Sequence, residues 1–378
     1  MGNWQRLSTA VGAGALILSF LVPATGVSAA VGHAHLALPV PPLLYHFQNI
    51  ASTADPTFTQ LLGVNDQTLI AGYDGSGADA QHPNKGFTLT LLPTTFTDEN
   101  FPASSQTQVI GIDNAGDTGG FYVDAATTTH GFLRIGGVYS TVDFPGTAFN
   151  QILGLNNNGQ AAGYYTDAQN LFHAYTVQNG LFTTPPQIPV NSQATGINDL
   201  GTIVGFTESS GNSVSNGFIL KGTTLTTLNA PGSTFTQALG VNNDGQVVGA
   251  YVDAGNVTHG FLYDNGNFQT IDAPNTTTST VINGINNSGQ IVGFFVDGNN
   301  NTIGLVGNPY FYLSAAPNPV DIGQTVTYTA YVRPAPALVA RAGGVDLPIC
   351  TAVAELLAGR TTLADAMARL LARPRRDE

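Results

Sequence analysis

The sequence predicts an all-β protein: a six-bladed β-propeller closed by an N-terminal strand, then truncated Ig-like strands and a short helical C-terminal tail. Three observations support this prediction. The frame G-[VIL]-[ND]-[ND]-x-x-x-x-x-G occurs six times, starting at Gly63, Gly111, Gly154, Gly196, Gly240 and Gly284. Successive starts lie 48, 43, 42, 44 and 44 residues apart, and a fixed period of about 40–45 residues is typical of propellers. Each full copy contains four short β-rich runs, and the two ends of the array are incomplete in complementary ways.

The composition suits a folded, exported protein with an acidic body. Charged residues make up 9% of the chain and hydrophobic residues 42%, whereas about 25% of residues are charged in ordinary soluble proteins. Between residues 7 and 332 there are three basic and 19 acidic side chains. This charge argues against nucleic acid or an anionic membrane as partner and is compatible with cations or neutral sugars. The single cysteine, Cys350, excludes an internal disulfide.

The N-terminus has the features of a secretory signal peptide, which we assign to residues 1–30. A positively charged start is followed by an apolar run from Ala10 to Ala24 and then by small residues suited to cleavage. The alternative is an uncleaved membrane anchor, but the run is shorter than the ~20 residues that a spanning helix needs. We therefore expect a secreted, extracellular or cell-surface bacterial protein without a membrane span after cleavage. Residues 31–44 form a proline-containing lead-in.

The fifth copy illustrates how one repeat is expected to fold. Residues 234–241, 246–252, 258–263 and 267–272 are rich in β-branched and aromatic residues, and the Asn, Asp and Gly residues between them form turns. Gly249 lies inside the second run and marks a bulge or a close approach of another backbone. Four antiparallel strands in about 44 residues are typical of a propeller blade. A β-solenoid is the alternative architecture, although its coils are commonly shorter.

The phase of the repeats predicts how the array closes. Residues 45–51 resemble the fourth strand of a copy and precede the first frame, whereas the last copy, residues 280–305, has no clear fourth strand. We expect residues 45–51 to pair beside residues 303–307 and to complete the sixth blade. Such closure removes two free sheet edges that would otherwise favour aggregation.

Residues 45–307 resemble the extracellular HAF-type repeat family. The pattern G-[IV]-N-[ND]-x-G-[QT]-[IV]-V-G matches residues 196–205, 240–249 and 284–293. The triplet for which the family is named, H-G-F or H-A-[FY], matches residues 130–132, 173–175 and 259–261. The first, fourth and sixth copies depart from the triplet at residues 85–87, 216–218 and 303–305. The resemblance implies a surface or secreted location and no defined activity.

The repeats contain two sets of candidate binding residues. The histidines of the triplets, His130, His173 and His259, are candidates for a binding face, and the alternative is a structural residue at a strand start. Acidic residues recur after the second strand, and if their turns share one face they could bind Ca²⁺. The candidate metal ligands are Asp124, Asp167, Asp253 and Asp297. The alternative is that these are ordinary hairpin-turn aspartates; apart from this Ca²⁺ we expect no cofactor, and we interpret the Asn-rich turns as structural.

The C-terminal part changes character twice. Residues 308–336 contain an alternating stretch that resembles the opening strands of a bacterial Ig-like domain, and residues 337–378 have a helical pattern. About 40 residues of this tail, from Gly344 onward, resemble the extreme C-terminus of NAD(P)-dependent glycerol-3-phosphate dehydrogenase. The dinucleotide loop and the catalytic lysine region of that family have no counterpart here, so we do not expect its activity. The tail has the features of a fusion, frameshift or assembly join.

These observations favour a monomeric extracellular binding or adhesion module with no catalysis. The partner would be an extracellular glycan or protein. The alternative is a hydrolase or lyase acting on extracellular polysaccharide, and a weaker one is an inactive fragment similar to the dehydrogenase. No catalytic constellation is apparent in the sequence.

Overall fold

The computed structural model describes residues 45–309 except 79–80, 209–213, 234 and 275–278, together with the backbone of three further strands. One compact unit spans Ala15–Tyr331, and the other, Met1–Gly14 with Val332–Glu378, lies outside the described residues. The predicted helical tail therefore lies outside them as well. The described part is entirely β and contains no helix. Accordingly, no helix in it has the length and apolar character needed to cross a bilayer.

The strands are numbered in chain order. They are β1 (Ala15–Leu21), β2 (Tyr45–Ile50), β3 (Thr59–Val64), β4 (Ile70–Asp74), β5 (Lys85–Leu91), β6 (Thr94–Asp98), β7 (Gln106–Ile112), β8 (Thr118–Val123), β9 (Thr129–Ile135), β10 (Val138–Thr141), β11 (Asn150–Leu155), β12 (Gln160–Thr166), β13 (Phe172–Gln178), β14 (Leu181–Thr183), β15 (Ser192–Ile197), β16 (Ile203–Glu208), β17 (Ser215–Lys221), β18 (Thr224–Leu228), β19 (Phe235–Val241), β20 (Val247–Val252), β21 (Thr258–Asp264), β22 (Asn267–Ile271), β23 (Ser279–Ile285), β24 (Ile291–Val296), β25 (Thr302–Pro309), β26 (Tyr312–Ala316) and β27 (Thr325–Tyr331).

These strands form a propeller-like array of four-stranded antiparallel groups. Groups 1 to 5 each consist of four consecutive strands, β3–β6, β7–β10, β11–β14, β15–β18 and β19–β22. Group 6 consists of β23, β24 and β25 with β2 as its fourth strand. The register of that last pair runs from Tyr45↔Pro309 to Ile50↔Gly304. The predicted pairing of the N-terminal strand beside the last repeat is confirmed.

The first and last glycines of the repeated frame lie at two different features of the sheet: a register shift in the first strand and a close backbone contact in the second. The first strand of every group has a register shift just before its frame glycine, as between Ala238 and Gly240. Opposite the shift, a Cβ on Gly249 would lie 1.9 Å from the carbonyl oxygen of Gln237. The other five second-strand glycines meet a carbonyl oxygen at 2.0–2.3 Å in the same way. The predicted close approach of a second backbone is confirmed, and it is the physical reason for glycine at this position.

The hydrophobic core is divided among the interfaces between neighbouring groups. Each of six apolar clusters joins one group to the next. The cluster between groups 6 and 1 contains Val292 and Val306 from one side and Leu61 and Phe87 from the other. The cycle of interfaces therefore returns to its start, so that the first and last repeats bury each other's apolar faces.

A separate three-stranded sheet has the order β1-β27-β26. Strands β26 and β27 pair antiparallel from Tyr312↔Tyr331 to Ala316↔Thr327, so the predicted pair of strands in this segment is confirmed. Strand β1, from the segment assigned to the signal peptide, pairs with β27. The signal peptide itself stays a prediction.

Candidate functional site

The turns between the first and second strands of the groups are joined in a cycle of hydrogen bonds, which we call the turn ring. Six residues form it, one from each group: Asp66, Asn114, Asn157, Asp199, Asn243 and Asn287. Each donates its backbone N–H to the side-chain Oδ1 of the next at 2.7–2.9 Å, and Asn287 donates to Asp66. The six turns surround a polar cavity of about 70 Å³.

The two carboxylates of the turn ring lie three steps apart and therefore face each other across it. Asp66 accepts side-chain amide hydrogen bonds from Asn287 and Asn114, and Asp199 accepts them from Asn157 and Asn243, all at 2.7–2.9 Å. Burial tends to raise the pKa of Asp199, but these amide donors outweigh it and hold the pKa below its ordinary value. The ring thus supplies hydrogen-bond donors to its own carboxylates, in agreement with the structural interpretation of the Asn-rich turns.

A second recurring arrangement lies at the opposite end of the strands, and we call it the Tyr–His–Asp cluster. In group 2 the imidazole of His130 stacks on Tyr122, with ring centroids 5.0 Å apart. Its Nε2 lies 3.5 Å from Oδ2 of Asp124, and its Nδ1 lies 2.7 Å from Oδ2 of Asp143. One imidazole therefore bridges two carboxylates, one before the third strand and one after the fourth.

Group 5 repeats this geometry. His259 stacks on Tyr251 at 5.1 Å, with Nε2 3.4 Å from Asp253 and Nδ1 2.9 Å from Asp272. Burial tends to lower the pKa of both bridging histidines, but their flanking carboxylates outweigh it and raise the pKa above its ordinary value. Both imidazoles are therefore protonated more readily than an imidazole without these carboxylates.

Group 3 has only part of this cluster. His173 stacks on Tyr165 at 4.9 Å, and its Nε2 lies 2.8 Å from Oδ2 of Asp167. Pro185 and Pro186 follow the fourth strand here, in the place of the second carboxylate. Among the residues that the structure describes, Nδ1 of His173 has no hydrogen-bond partner.

The other three groups use unrelated pairs at the same cross-strand position. These pairs are Asp74↔Lys85, Thr207↔Asn216 and Phe295↔Ile303 in groups 1, 4 and 6. A charged pair, a neutral polar pair and an apolar pair all fit there. The sheet therefore does not require a Tyr–His–Asp cluster at this position.

The four candidate metal ligands hold their own turns. In each, Oδ1 accepts the backbone N–H groups of the residues two and four positions later, at 2.8–2.9 Å: Asp124, Asp167, Asp253 and Asp297. These hydrogen bonds, together with those to His130, His173 and His259 where present, lower the pKa of each carboxyl group. The four lie in four different groups, and within the described ranges no set of three or more His, Cys, Asp or Glu side chains could hold a metal ion.

Sequence reasoning identified the three histidines and their first carboxylates but missed the second carboxylates. Asp143 and Asp272 lie 13 residues after their histidines, a spacing that the motif Y-V-D-A…T-H-G-F-L shared by groups 2 and 5 could have revealed. The stacked tyrosines lie directly opposite the histidines in the strand register.

No family model matches this chain. Two curated relatives match a short part of it, both glycerol-3-phosphate dehydrogenases. The protein from Sphingopyxis alaskensis is 47% identical over 55 residues, and that from Maricaulis maris is 56% identical over 48 residues. These matches cover 15% and 12% of this chain and only 17% and 14% of the relatives. They confirm that part of the chain resembles this family, and the HAF-type resemblance stays a prediction.

Several solved structures resemble the fold. The Aleuria aurantia lectin, a six-bladed propeller, has 12% identity and a TM-score of 0.40, covering 56% of this chain and 78% of its own. A gluconolactonase from Xanthomonas campestris has 13% identity and a TM-score of 0.43, covering 79% and 99%. The acylaminoacyl peptidase of Pyrococcus horikoshii has 8% identity and a TM-score of 0.40, covering 68% and 55%. At this level the similarity concerns the fold and carries no argument about ligands.

These comparisons correct one prediction made from the sequence. The prediction that the chain is not an enzyme is wrong as it stands, because two of the similar structures, the gluconolactonase and the peptidase, are enzymes. Absence of catalysis is therefore not part of the function proposed below.

Proposed function

We propose that residues 45–309 form a closed six-bladed β-propeller of the HAF repeat type that is exported and binds an extracellular glycan or protein. Closure is supported by the pairing of β2 with β25, by the six successive apolar interfaces and by the turn ring. Export is supported by the signal-like N-terminus and by the acidic, cysteine-poor repeats.

The observation that carries the binding proposal is the recurrence of the Tyr–His–Asp cluster in three groups of six. Groups 1, 4 and 6 form the same sheet with other side chains at that position, so the sheet can form without the clusters. The clusters lie at one end of the strands, and their imidazoles and carboxylates remain partly exposed. An imidazole or carboxylate held on a rigid scaffold is suited to bind a hydroxyl group of a glycan, and one of the three clusters suffices to supply that contact.

Binding to a glycan array and to extracellular protein fractions tests this proposal. The purified chain is expected to bind a defined subset of glycans, and a variant combining His130→Ala, His173→Ala and His259→Ala is expected to lose that binding while keeping its β-sheet circular dichroism. Product analysis on bound polysaccharides records any turnover. Equal binding by the triple variant would contradict the assignment of this surface.

A further inference from the structure

The three Tyr–His–Asp clusters differ in how many imidazole nitrogens remain available. We infer that His173 is the residue that contacts a neutral glycan through one of its hydroxyl groups, whereas His130 and His259 are structural cross-links. This inference rests on the proposed binding function and specifies where on the surface it resides.

In groups 2 and 5 each imidazole nitrogen already faces a carboxylate. His130 and His259 each contact one carboxylate through Nε2 and a second through Nδ1, at 2.7–3.5 Å. Their rings lie flat against Tyr122 and Tyr251, which cover one face. A ligand could reach a ring nitrogen only by displacing a carboxylate. These two histidines therefore connect the turn before the third strand to the segment after the fourth.

In group 3 the same ring has one nitrogen without a partner among the residues that the structure describes. A carboxylate can only accept a hydrogen bond, so the 2.8 Å contact with Asp167 places the proton of the neutral ring on Nε2. Nδ1 then presents a lone pair, and the hydroxyl group of a ligand is a suitable donor. The ring orientation is fixed by Asp167 and by the stacked Tyr165, while 23% of the His173 side chain remains exposed.

Two exposed aliphatic side chains lie close to His173 along the chain or through a backbone hydrogen bond. Leu171 and Val190 are 40% and 53% exposed, and Asn191, which follows Val190, donates its backbone N–H to the carbonyl of Phe172 at 2.7 Å. Leu171 therefore lies two residues before His173, and Val190 is adjacent to a residue that is hydrogen-bonded to Phe172. A pyranose ring presents hydroxyl groups at its edge and C–H groups on its face, and this combination matches one polar atom with an apolar flank.

Matched single variants test the inference, because the chain itself supplies compatible replacements. Isoleucine occupies the equivalent position in group 6 and asparagine in group 4. We expect His173→Ile to weaken binding of a glycan identified on the array about tenfold, the effect of losing one hydrogen bond. His130→Ile and His259→Ile should leave affinity within about twofold and lower the melting temperature instead. His173→Asn retains a polar atom close to the position of Nδ1 and should recover part of the binding.

Failure of the inference about His173 can be distinguished from failure of the proposed glycan-binding function. If the wild-type chain binds no glycan on the array, the proposed glycan-binding function fails. If the wild type binds and His173→Ile binds equally well, or if His130→Ile or His259→Ile alone abolishes binding, the inference about His173 is wrong. If His173→Ile does not fold, His173→Asn is compared with the folded control His130→Asn. A lower glycan affinity for His173→Asn than for His130→Asn supports the inference, and the same affinity for both variants overturns it.

Discussion

At the scale of the residue, the recurring Asn and Asp side chains mainly hold backbone. The first polar residue of each frame holds its own turn through Oδ1, as Asn156 does with the N–H groups of residues 158 and 160. Its Nδ2 reaches the carbonyl of the next group, as from Asn156 to Asn198 at 2.9 Å. Asp113 is the one residue of this set without an amide donor, so the corresponding hydrogen bond to Asn156 is missing.

Replacing Asp113 with Asn should therefore stabilise the protein. Asp113 is only 8% exposed, and burial raises its pKa. The variant keeps the turn hydrogen bonds of Oδ1 and adds a donor towards the carbonyl of Asn156. We expect a gain of about 1 kcal/mol in the free energy of unfolding near neutral pH, measured by urea denaturation.

The pH dependence provides a control for this variant. Because the folded pKa of Asp113 lies above the unfolded value, its carboxylate lowers stability above the folded pKa, and this effect vanishes below the unfolded pKa. The gain from Asp113→Asn should therefore be larger near pH 7 than near pH 3.5, close to the ordinary pKa of Asp. A lower stability of the variant near pH 7 would contradict the assigned role.

The bridging histidines should also make stability decrease as pH rises. The folded pKa of His130 and of His259 lies above the unfolded value. Their contribution is therefore fully present below the unfolded pKa and is lost as pH rises through the folded pKa. The wild type should exceed His130→Ile in melting temperature by more near pH 5.5 than near pH 8.5, on either side of the ordinary histidine pKa. An equal difference at both pH values would argue against the charged bridge.

At the scale of the strand, the sequence predicted most of each group. In group 5 the predicted run 267–272 corresponds to the observed Asn267–Ile271, and 258–263 to Thr258–Asp264. Alternating side chains and turn residues carry this local information. The second carboxylates, Asp143 and Asp272, recur 13 residues after their histidines, but their contact with the imidazole depends on the register of the third and fourth strands, which a single repeat does not show. The turn ring forms between neighbouring groups, and the sequence of one repeat does not indicate which residue of the next group accepts its hydrogen bond.

A test at this scale is the substitution Gly249→Ala. The new Cβ would lie 1.9 Å from the carbonyl oxygen of Gln237 and 2.7 Å from the ring of Phe261, so strand β19 or the ring must move. Overpacking of this kind costs about 1–3 kcal/mol, and we expect loss at the upper end in thermal denaturation. Gly298→Ala is the matched control, because its Cβ would meet no atom within 4 Å and should leave stability unchanged within about 0.5 kcal/mol. Equal melting temperatures for the two variants would contradict this packing role.

At the scale of the whole molecule, the proposed closure of the array would connect the turn ring, the six interfaces and the proposed binding face. Strand β2 supplies the last strand of group 6, and without it β25 would be a free sheet edge available to another chain. Asn287 and Asp66 join the last turn to the first, so that the ends of the array support each other. The repeat period predicts this architecture, whereas the binding position proposed in group 3 depends on a difference between copies that periodicity hides.

A disulfide across the closing strands tests the central claim of closure most directly. In a Cys350→Ser background, His46→Cys and Asn308→Cys place thiols on directly paired residues of β2 and β25. Closure within one chain predicts a disulfide inside a monomer under mild oxidation, detected by mass spectrometry of the peptides and by size-exclusion chromatography. Free thiols after oxidation, or a disulfide that joins two chains, would contradict a ring closed by its own N-terminal strand.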